Sequence, residues 1–480
     1  MNALIHRLRF SAPLLSLMLL AGCTAGPDYR VPDTAMPEQF RYQDGWRTMP
    51  EQPWLAQGTW WESFDDPTLT YLIREADQAS QTLAQAEARF RAAEAQWRLA
   101  RGDYSPQLSA TVGGTRSGGN NSSASELFTG RLDISWAPDL WGRVRRQVEA
   151  ERAGLAASAA DMAGVRLTMQ VALAQGYIRL RTLDQQREIL EQSIEAFDRS
   201  AQLTRNQYNA GIVSRSDVIQ AETQRQSLRT QMYDLQRQRA QEENALAALL
   251  GVAPVAFGLP DSDTLPALPV LPAALPSVLI ARRPDVVIAE RRVAAANARI
   301  GVAETAWLPD LTLSAFGAVQ DDTFSGLFDA PQRVWSVGPS LALTLFDGGR
   351  RRATRDIAVA QYDEHVANYR QTVLDSLRDV EDALAALQIL AEKATQQEAL
   401  IELAEENERV INNRYRAGMV TFLEVANAQN LTLDARRARL NIISDQLQAA
   451  AQLAAVLGGG WQVGDPVIER ITRPPEPARP

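Results

Sequence analysis

The chain has 480 residues, 49 Lys plus Arg against 58 Asp plus Glu, and a formal net charge of −9. That acidic balance argues against nucleic acid as a partner, and a single cysteine rules out any intrachain disulfide. Two histidines (His6 and His365) and one lysine (Lys393) leave little for a metal site, a serine triad, a Walker A loop or Schiff-base chemistry, so the composition argues against an enzyme.

In chain order, residues 1–22 read as a leader. His6, Arg7 and Arg9 are followed by an apolar run, Phe10 to Leu20, too short to cross a bilayer as a stable helix. It ends in Leu20-Ala21-Gly22-Cys23, which resembles the lipobox of bacterial lipoproteins, with cleavage before Cys23 and a lipidated thiol. Thr24 stands where retention in the inner membrane usually needs Asp, so the outer membrane is the expected destination. Beyond Leu20 no run of 18 apolar residues occurs, so any membrane crossing must use β-strands.

Residues 23–67 are Pro-rich, aperiodic and carry Trp46, Trp54, Trp60 and Trp61, an extended segment expected to pack on the body. Thr68 to Arg101 then predicts a helix, being rich in Ala, Gln, Glu and Arg without Pro or Gly. Gln107 to Ser117 and Leu127 to Ala137 predict strands separated by a polar loop over 118–126. Trp141 to about Tyr208 predicts a long helix stopped at Gly211, with Ser214 or Ser216 capping a further helix to Leu250. Residues 251–283 form a Pro-rich linker. The pattern then returns: a helix from Pro284 to Ala306, strands near Asp310–Gln320 and Val334–Phe346, a helix from Arg350 to Tyr415, a turn at Gly418, and a helix to Leu457. A flexible tail, 461–480, ends the chain.

This is a tandem repeat, 68–250 and 284–460. Tyr208-Asn-Ala-Gly211 recurs as Tyr415-Arg-Ala-Gly418 at an offset of 207, which also maps Leu250-Gly251 onto Leu457-Gly458 and Gly142-Arg143 onto Gly349-Arg350. The long helices show heptad spacing, as in Val373, Leu377, Val380, Leu384 and Leu387, and about 68 helical residues at 1.5 Å each make rods on the order of 100 Å. The strands alternate. Leu311, Leu313, Ala315 and Val319 share one face, as do Trp335, Val337, Leu341, Leu343 and Leu345, while Ser336, Gly338, Ser340, Ala342 and Thr344 face the other way, and Leu132, Ile134 and Trp136 oppose Arg131, Asp133 and Ser135, the pattern of a transmembrane β-barrel. Four strands cannot close a barrel, and an open edge is not tolerated in lipid. Oligomerisation is therefore expected; two copies would give eight strands, three would give twelve and room for water.

These residues together resemble the TolC-like outer-membrane efflux proteins, in particular the lipoprotein branch (NodT/OprM-like) serving RND-type pumps. The resemblance covers residues 23–460 and rests on the lipobox, Gly26-Pro27-Asp28-Tyr29, Trp60-Trp61-x-x-Phe64-x-Asp66-Pro67-x-Leu69, Arg282-Arg283-Pro284-Asp285-Val286, Leu345-Phe346-Asp347-Gly348-Gly349 and the Tyr-x-Ala-Gly turns. It implies a mostly α protomer with four transmembrane strands, and a homotrimer whose twelve-stranded barrel continues into a periplasmic α-helical barrel. It further implies a periplasmic adaptor and an inner-membrane RND-type pump as partners, outer-membrane lipid around the barrel, and no cofactor beyond N-palmitoyl and S-diacylglycerol groups on Cys23. The implied activity is passive export of drugs, toxic compounds or metal ions. A type I protein-secretion duct and a lipid-anchored coiled-coil scaffold without a pore are the alternatives. The resemblance puts the gate at the periplasmic tip, Tyr415 to Asn427, with Leu423, Glu424 and Asn427 at the constriction and links among Asp217, Tyr415 and Arg416 holding it closed. Asn427 departs from the acidic residues usual there and would lower the charge at the mouth.

Overall fold

The structure is a computed structural model that describes residues 25–34, 41, 58–120, 122–269, 283–329 and 331–459. Cys23, the leader and the C-terminal tail lie outside them. After a 3-10 turn at Trp60–Phe64 come helices α1 (Pro67–Ala79) and α2 (Gln81–Gly102), strands β1 (Gln107–Gly119) and β2 (Ser122–Trp136), and helices α3 (Arg143–Asn209) and α4 (Arg215–Leu249). The second copy supplies α5 (Pro284–Thr305), β3 (Asp310–Asp321), β4 (Gln332–Ala342), α6 (Arg350–Arg416) and α7 (Phe422–Val456). The two long helices have 67 residues each and the two returning helices 35 each, so the offset of 207 is kept residue for residue. At 1.5 Å per residue α3 and α6 are about 100 Å long.

The copies start and stop their helices with the same devices. Gly142 and Gly349 precede α3 and α6 at φ 81° and 90°, a left-handed region that only glycine enters freely. Carboxylates then cap the new helices: Asp139 accepts from the Val144 and Arg145 amides at 3.0 and 2.9 Å, and Asp347 from Gly349 and Arg351 at 3.0 Å each. At the far end the Ile212 amide closes onto Gln207 O and the Met419 amide onto Arg414 O, both at 2.9 Å.

Three expectations need correction. The helix from Thr68 breaks at Ser80, which leaves the helical region at φ −63°, ψ 123°. Gly251 packs at this break: it turns at φ 73° against Ala79 O so closely that a Cβ there would lie 2.4 Å from that oxygen. The loop expected over 118–126 is mostly strand, since β1 runs to Gly119 and β2 begins at Ser122, with a register shift between Ser117 and Gly119. Ser and Gly on a hairpin that protrudes into water read as loop, but cross-strand bonding holds them extended. Lastly, β4 ends at Ala342, so Leu343, Thr344 and Leu345 follow the strand on the way to the Asp347 cap.

The main core lies where the rods meet. Trp60, Phe64, Leu69 and Ile73 pack against Leu173 and Ile178 of α3 and Leu447 and Leu453 of α7, all nearly or fully buried. Each such side chain contributes about 1.5–3 kcal/mol on burial. The Trp60-Trp61-Phe64 motif is thus packing, with Trp60 edge-on to both neighbours, and Asp66 caps α1 while accepting from Tyr177 Oη at 2.9 Å. The linker is tied on by charge: Asp184, almost fully buried, pairs with Arg181 at 3.0 Å and Arg239 at 2.7 Å, and those two guanidiniums donate to Pro260 O and Leu259 O. Toward the membrane α3 and α5 approach through small residues, among them Ala153, Ala294 and Ala295.

Candidate functional site

Two regions can carry function: the sheet and the tip. The sheet is antiparallel in the order β1-β2-β3-β4. Its register brings Leu108, Ala110 and Val112 beside Ile134, Leu132 and Gly130, and Ile134 and Leu132 beside Ala315 and Gly317, which in turn pair with Val337 and Trp335. Because paired residues share a face, the four strands carry one continuous apolar surface. Leu132, Val112, Trp335 and Val337 on it are exposed in the protomer. The opposite face bears Ser109, Thr111, Arg131, Asp133, Ser314 and Ser336; there Arg131 pairs with Asp133 at 2.8 Å and lies 3.8 Å over the Phe316 ring.

Aromatic rings bracket the apolar face. Phe128, Phe324 and Phe328 stack edge-to-face at one end. At the other, Trp136 donates to Tyr104 O at 3.0 Å and Trp141 to Pro309 O at 2.7 Å. Phe128 and Trp136 are eight residues apart on β2, about 26 Å along an extended strand. Tilted by about 40°, as barrel strands are, that length rises about 20 Å, close to the roughly 25 Å apolar band between the aromatic girdles of a membrane barrel. Sequence reasoning found the alternation but missed the girdles, whose signal was the aromatic residues at both ends of each hairpin.

The Gly26-Pro27-Asp28-Tyr29 motif is fixed at the same level as the inner girdle. The Ala25 amide donates to Trp141 O at 3.2 Å, and buried Arg146 donates to Ala25 O, Gly26 O and Asp28. Tyr29 bonds Glu290, and burial followed by that carboxylate pushes its phenol up.

At the opposite end of the rods, the helix–turn–helix tips hold the predicted gate residues. Asp217 forms a capping box with Ser214: its carboxylate accepts from the Ser214 amide at 3.0 Å and hydroxyl at 2.7 Å, while the Asp217 amide donates back to Ser214 Oγ at 3.3 Å. Tyr415 is buried, edge-on to Phe422, with its hydroxyl 2.7 Å from Thr204 Oγ1. Burial pushes the Tyr415 phenol up, aided by the charge of Asp217. Arg416, Leu423, Glu424 and Asn427 are exposed, the last three on the side of α7 opposite buried Phe422, Val425 and Ala426. Within the protomer no hydrogen bond or ion pair joins Asp217, Tyr415 and Arg416 among the described residues. Thr204, which sequence reasoning missed, is Tyr415's partner.

The comparisons decide the identity. The outer membrane efflux protein family model matches residues 72–252 and 275–459. The chain belongs to the outer membrane efflux protein family. It is 30% identical over 462 residues to the probable efflux pump outer membrane protein TtgC of Pseudomonas putida, covering 93% of this chain and 96% of that one. It is also 30% identical over 459 residues to the cation efflux system protein CusC of Escherichia coli, covering 94% and 98%. Among solved structures the outer-membrane channel OprN superposes with a TM-score of 0.83 at 30% identity, covering 92% of this chain and all of that one. As an outer membrane efflux protein, the chain spans the outer membrane and extends into the periplasm. Its fold class is a mostly α protomer whose four strands form one third of a twelve-stranded barrel continuous with an α-helical barrel. No helix among the described residues is long and apolar enough to cross a membrane, so the sheet is the element that spans it.

Proposed function

We propose that this efflux channel is a passive duct for small molecules, drugs, toxic compounds or metal ions, handed to it by an inner-membrane RND-type pump through a periplasmic adaptor. The observation that carries the reading is the sheet: one apolar face about 26 Å long along its strands, a polar face behind it, and two unpaired edges, set on helices about 100 Å long. Such edges must close on other copies in lipid, and three copies leave a watery bore lined by the polar face. The duct needs no catalytic residue, because the pump supplies the work. Relatives named for toluene, antibiotic and cation efflux support small solutes as the cargo class.

The anchor belongs to the same proposal. Ala25 is tied to Trp141 at the inner girdle, and two residues of chain span at most about 7 Å. A diacylglycerol thioether and N-palmitoyl group on Cys23 would therefore enter the periplasmic leaflet. At the tip, Leu423, Glu424 and Asn427 form the constriction, and Asp217, Tyr415 and Arg416 tune its opening. The test is reconstitution of purified protein in planar bilayers, together with drug and metal sensitivity of cells from which it is deleted. Ion conductance and a hypersensitive deletion strain are expected. A monomer in detergent that shows no conductance would support the scaffold reading instead.

A further inference from the structure

Because both copies keep the offset of 207 along the whole tube, each residue of α3 and α4 has a structural counterpart in α6 and α7. Positions facing a copy's own core are buried in both: Ala221 and Ala428, Leu228 and Ala435, Leu235 and Ile442. Other positions break the match. Leu440 on α7 is 6% exposed, whereas its counterpart Tyr233 on α4 is 72% exposed. Thr182 on α3 is 5% exposed, and its counterpart Ile389 on α6 is 57% exposed. The seam between α3 and α7 inside the protomer therefore covers surfaces whose counterparts, on α6 and α4, stand open.

One bond in that seam shows what the open surfaces can do. Gln186 Nε2 donates to Asn441 Oδ1 at 2.7 Å. Gln186 maps onto Lys393, the chain's only lysine, and Asn441 maps onto Asp234. A neutral amide pair in one seam thus corresponds to a cation and a carboxylate in the other. Lys393 makes no ion pair among the described residues and lines an exposed groove with Ile389, Glu392, Thr395 and Gln396. Asp234 has only a loose 3.8 Å contact with Arg237, one turn along the same exposed helix face.

We propose that this groove on α6 receives Tyr233 and Asp234 of the next protomer, with the Tyr233 ring over Ile389 and the Asp234 carboxylate accepting from the Lys393 ammonium. The proposal rests on the trimeric reading. Three protomers of two copies each place six like units around the axis, so the seam between protomers repeats the seam within one, head to tail, and closes a ring. The occupant is a second copy of this chain, selected by charge complementarity at the matched position. The change from amides to charges also tells the two seams apart. If α4 of a neighbour took the place of α7, its Asp234 would face Gln186 and leave Lys393 unpaired, which penalises wrong assembly.

The test uses the full-length, acylated protein in detergent, with its mass set by light scattering. Asp234→Cys combined with Lys393→Cys is treated with a short bis-maleimide. Covalent dimers and trimers are expected on a reducing, denaturing gel, with none from the wild type or either single variant. Asp234→Cys with Asn407→Cys, 14 residues or about 21 Å further along α6, should not cross-link. A trimer by light scattering that stays uncross-linked overturns this seam and leaves the trimer standing; a monomer overturns both. In a second measurement, Lys393→Glu should lower the temperature at which the trimer dissociates, and adding Asp234→Lys should restore it. Lys393→Glu trimers as heat-stable as wild type would overturn the ion pair.

Discussion

The Tyr415 hydroxyl donates to Thr204 Oγ1 at 2.7 Å, because the Thr204 hydrogen is already committed to Ser200 O at 2.9 Å. This bond joins the long helices of the two copies at the tip. The first-copy counterpart of Tyr415 is Tyr208, which is 42% exposed, and the second-copy counterpart of Thr204 is Ile411, which carries no hydroxyl. One link per protomer therefore exists where the repeat could have supplied two.

Tyr415→Phe should remove that link and keep the ring against Phe422. The cost is about 0.5–1.5 kcal/mol per protomer. The expected result is more frequent opening in single-channel recordings with trimer yield unchanged. Thr204→Val should act alike, and the double variant should add little to either. Wild-type opening in both would remove the bond from the gate.

The raised pKa of Tyr415 sets the sign of a pH effect. The folded state holds the phenol proton more tightly than the unfolded chain, whose ordinary value is 10.0. The stabilisation is complete below that value and is lost as pH rises through the higher folded one. Channel opening should therefore be flat across neutral pH and rise only in strong alkali, and Tyr415→Phe should abolish that rise. An alkaline rise that survives in the variant would assign it to another group.

On the sheet, Leu132 lies midway between Phe128 and Trp136 on the apolar face, and Ser336 points to the other face within one residue of the same level. Leu132→Arg should cost about 2–4 kcal/mol in the barrel and reduce heat-stable trimer on semi-denaturing gels. Ser336→Arg should leave trimer yield near wild type and alter conductance. Equal losses would contradict the assignment of the two faces.

On α3, where the linker is tied on, Asp184 sits between two guanidiniums and is almost fully buried. Asp184→Ala leaves Arg181 buried without its charge partner and should cost about 3–5 kcal/mol. Thermal denaturation of purified protein should show a markedly lower transition, and a transition equal to wild type would mean that water or the linker compensates.

Cys23→Ser should abolish incorporation of radioactive palmitate and slow removal of the leader. Barrel insertion can still hold the protein in the membrane, so label is the decisive readout. Undiminished label would remove the anchor from Cys23.

The sequence made the architecture legible wherever periodicity carried it. The Tyr-x-Ala-Gly turns placed both tips, and the alternation through Leu132, Ile134 and Trp136 placed the membrane face. What it hid depended on contacts distant in the chain. Nothing local pairs Ser80 with Gly251, which turns against Ala79 at the break from 171 residues further along the chain. Nothing local pairs Thr204 with Tyr415, 211 residues away. Asp217, expected as part of a latch, has its carboxylate on Ser214 in the protomer, within the cap of α4.

The equal count of 67 residues in α3 and α6 also constrains how such a tube can change length. One residue added to a single copy would lower that copy's tip by about 1.5 Å and turn every side chain below it by about 100°, carrying seam residues into water. Only a change made in both copies, in steps near whole heptads, keeps the knobs facing their holes. Height is thus inherited as a matched quantity: the gene can lengthen or shorten the tube only by equal edits in both copies, in the long and the returning helix of each.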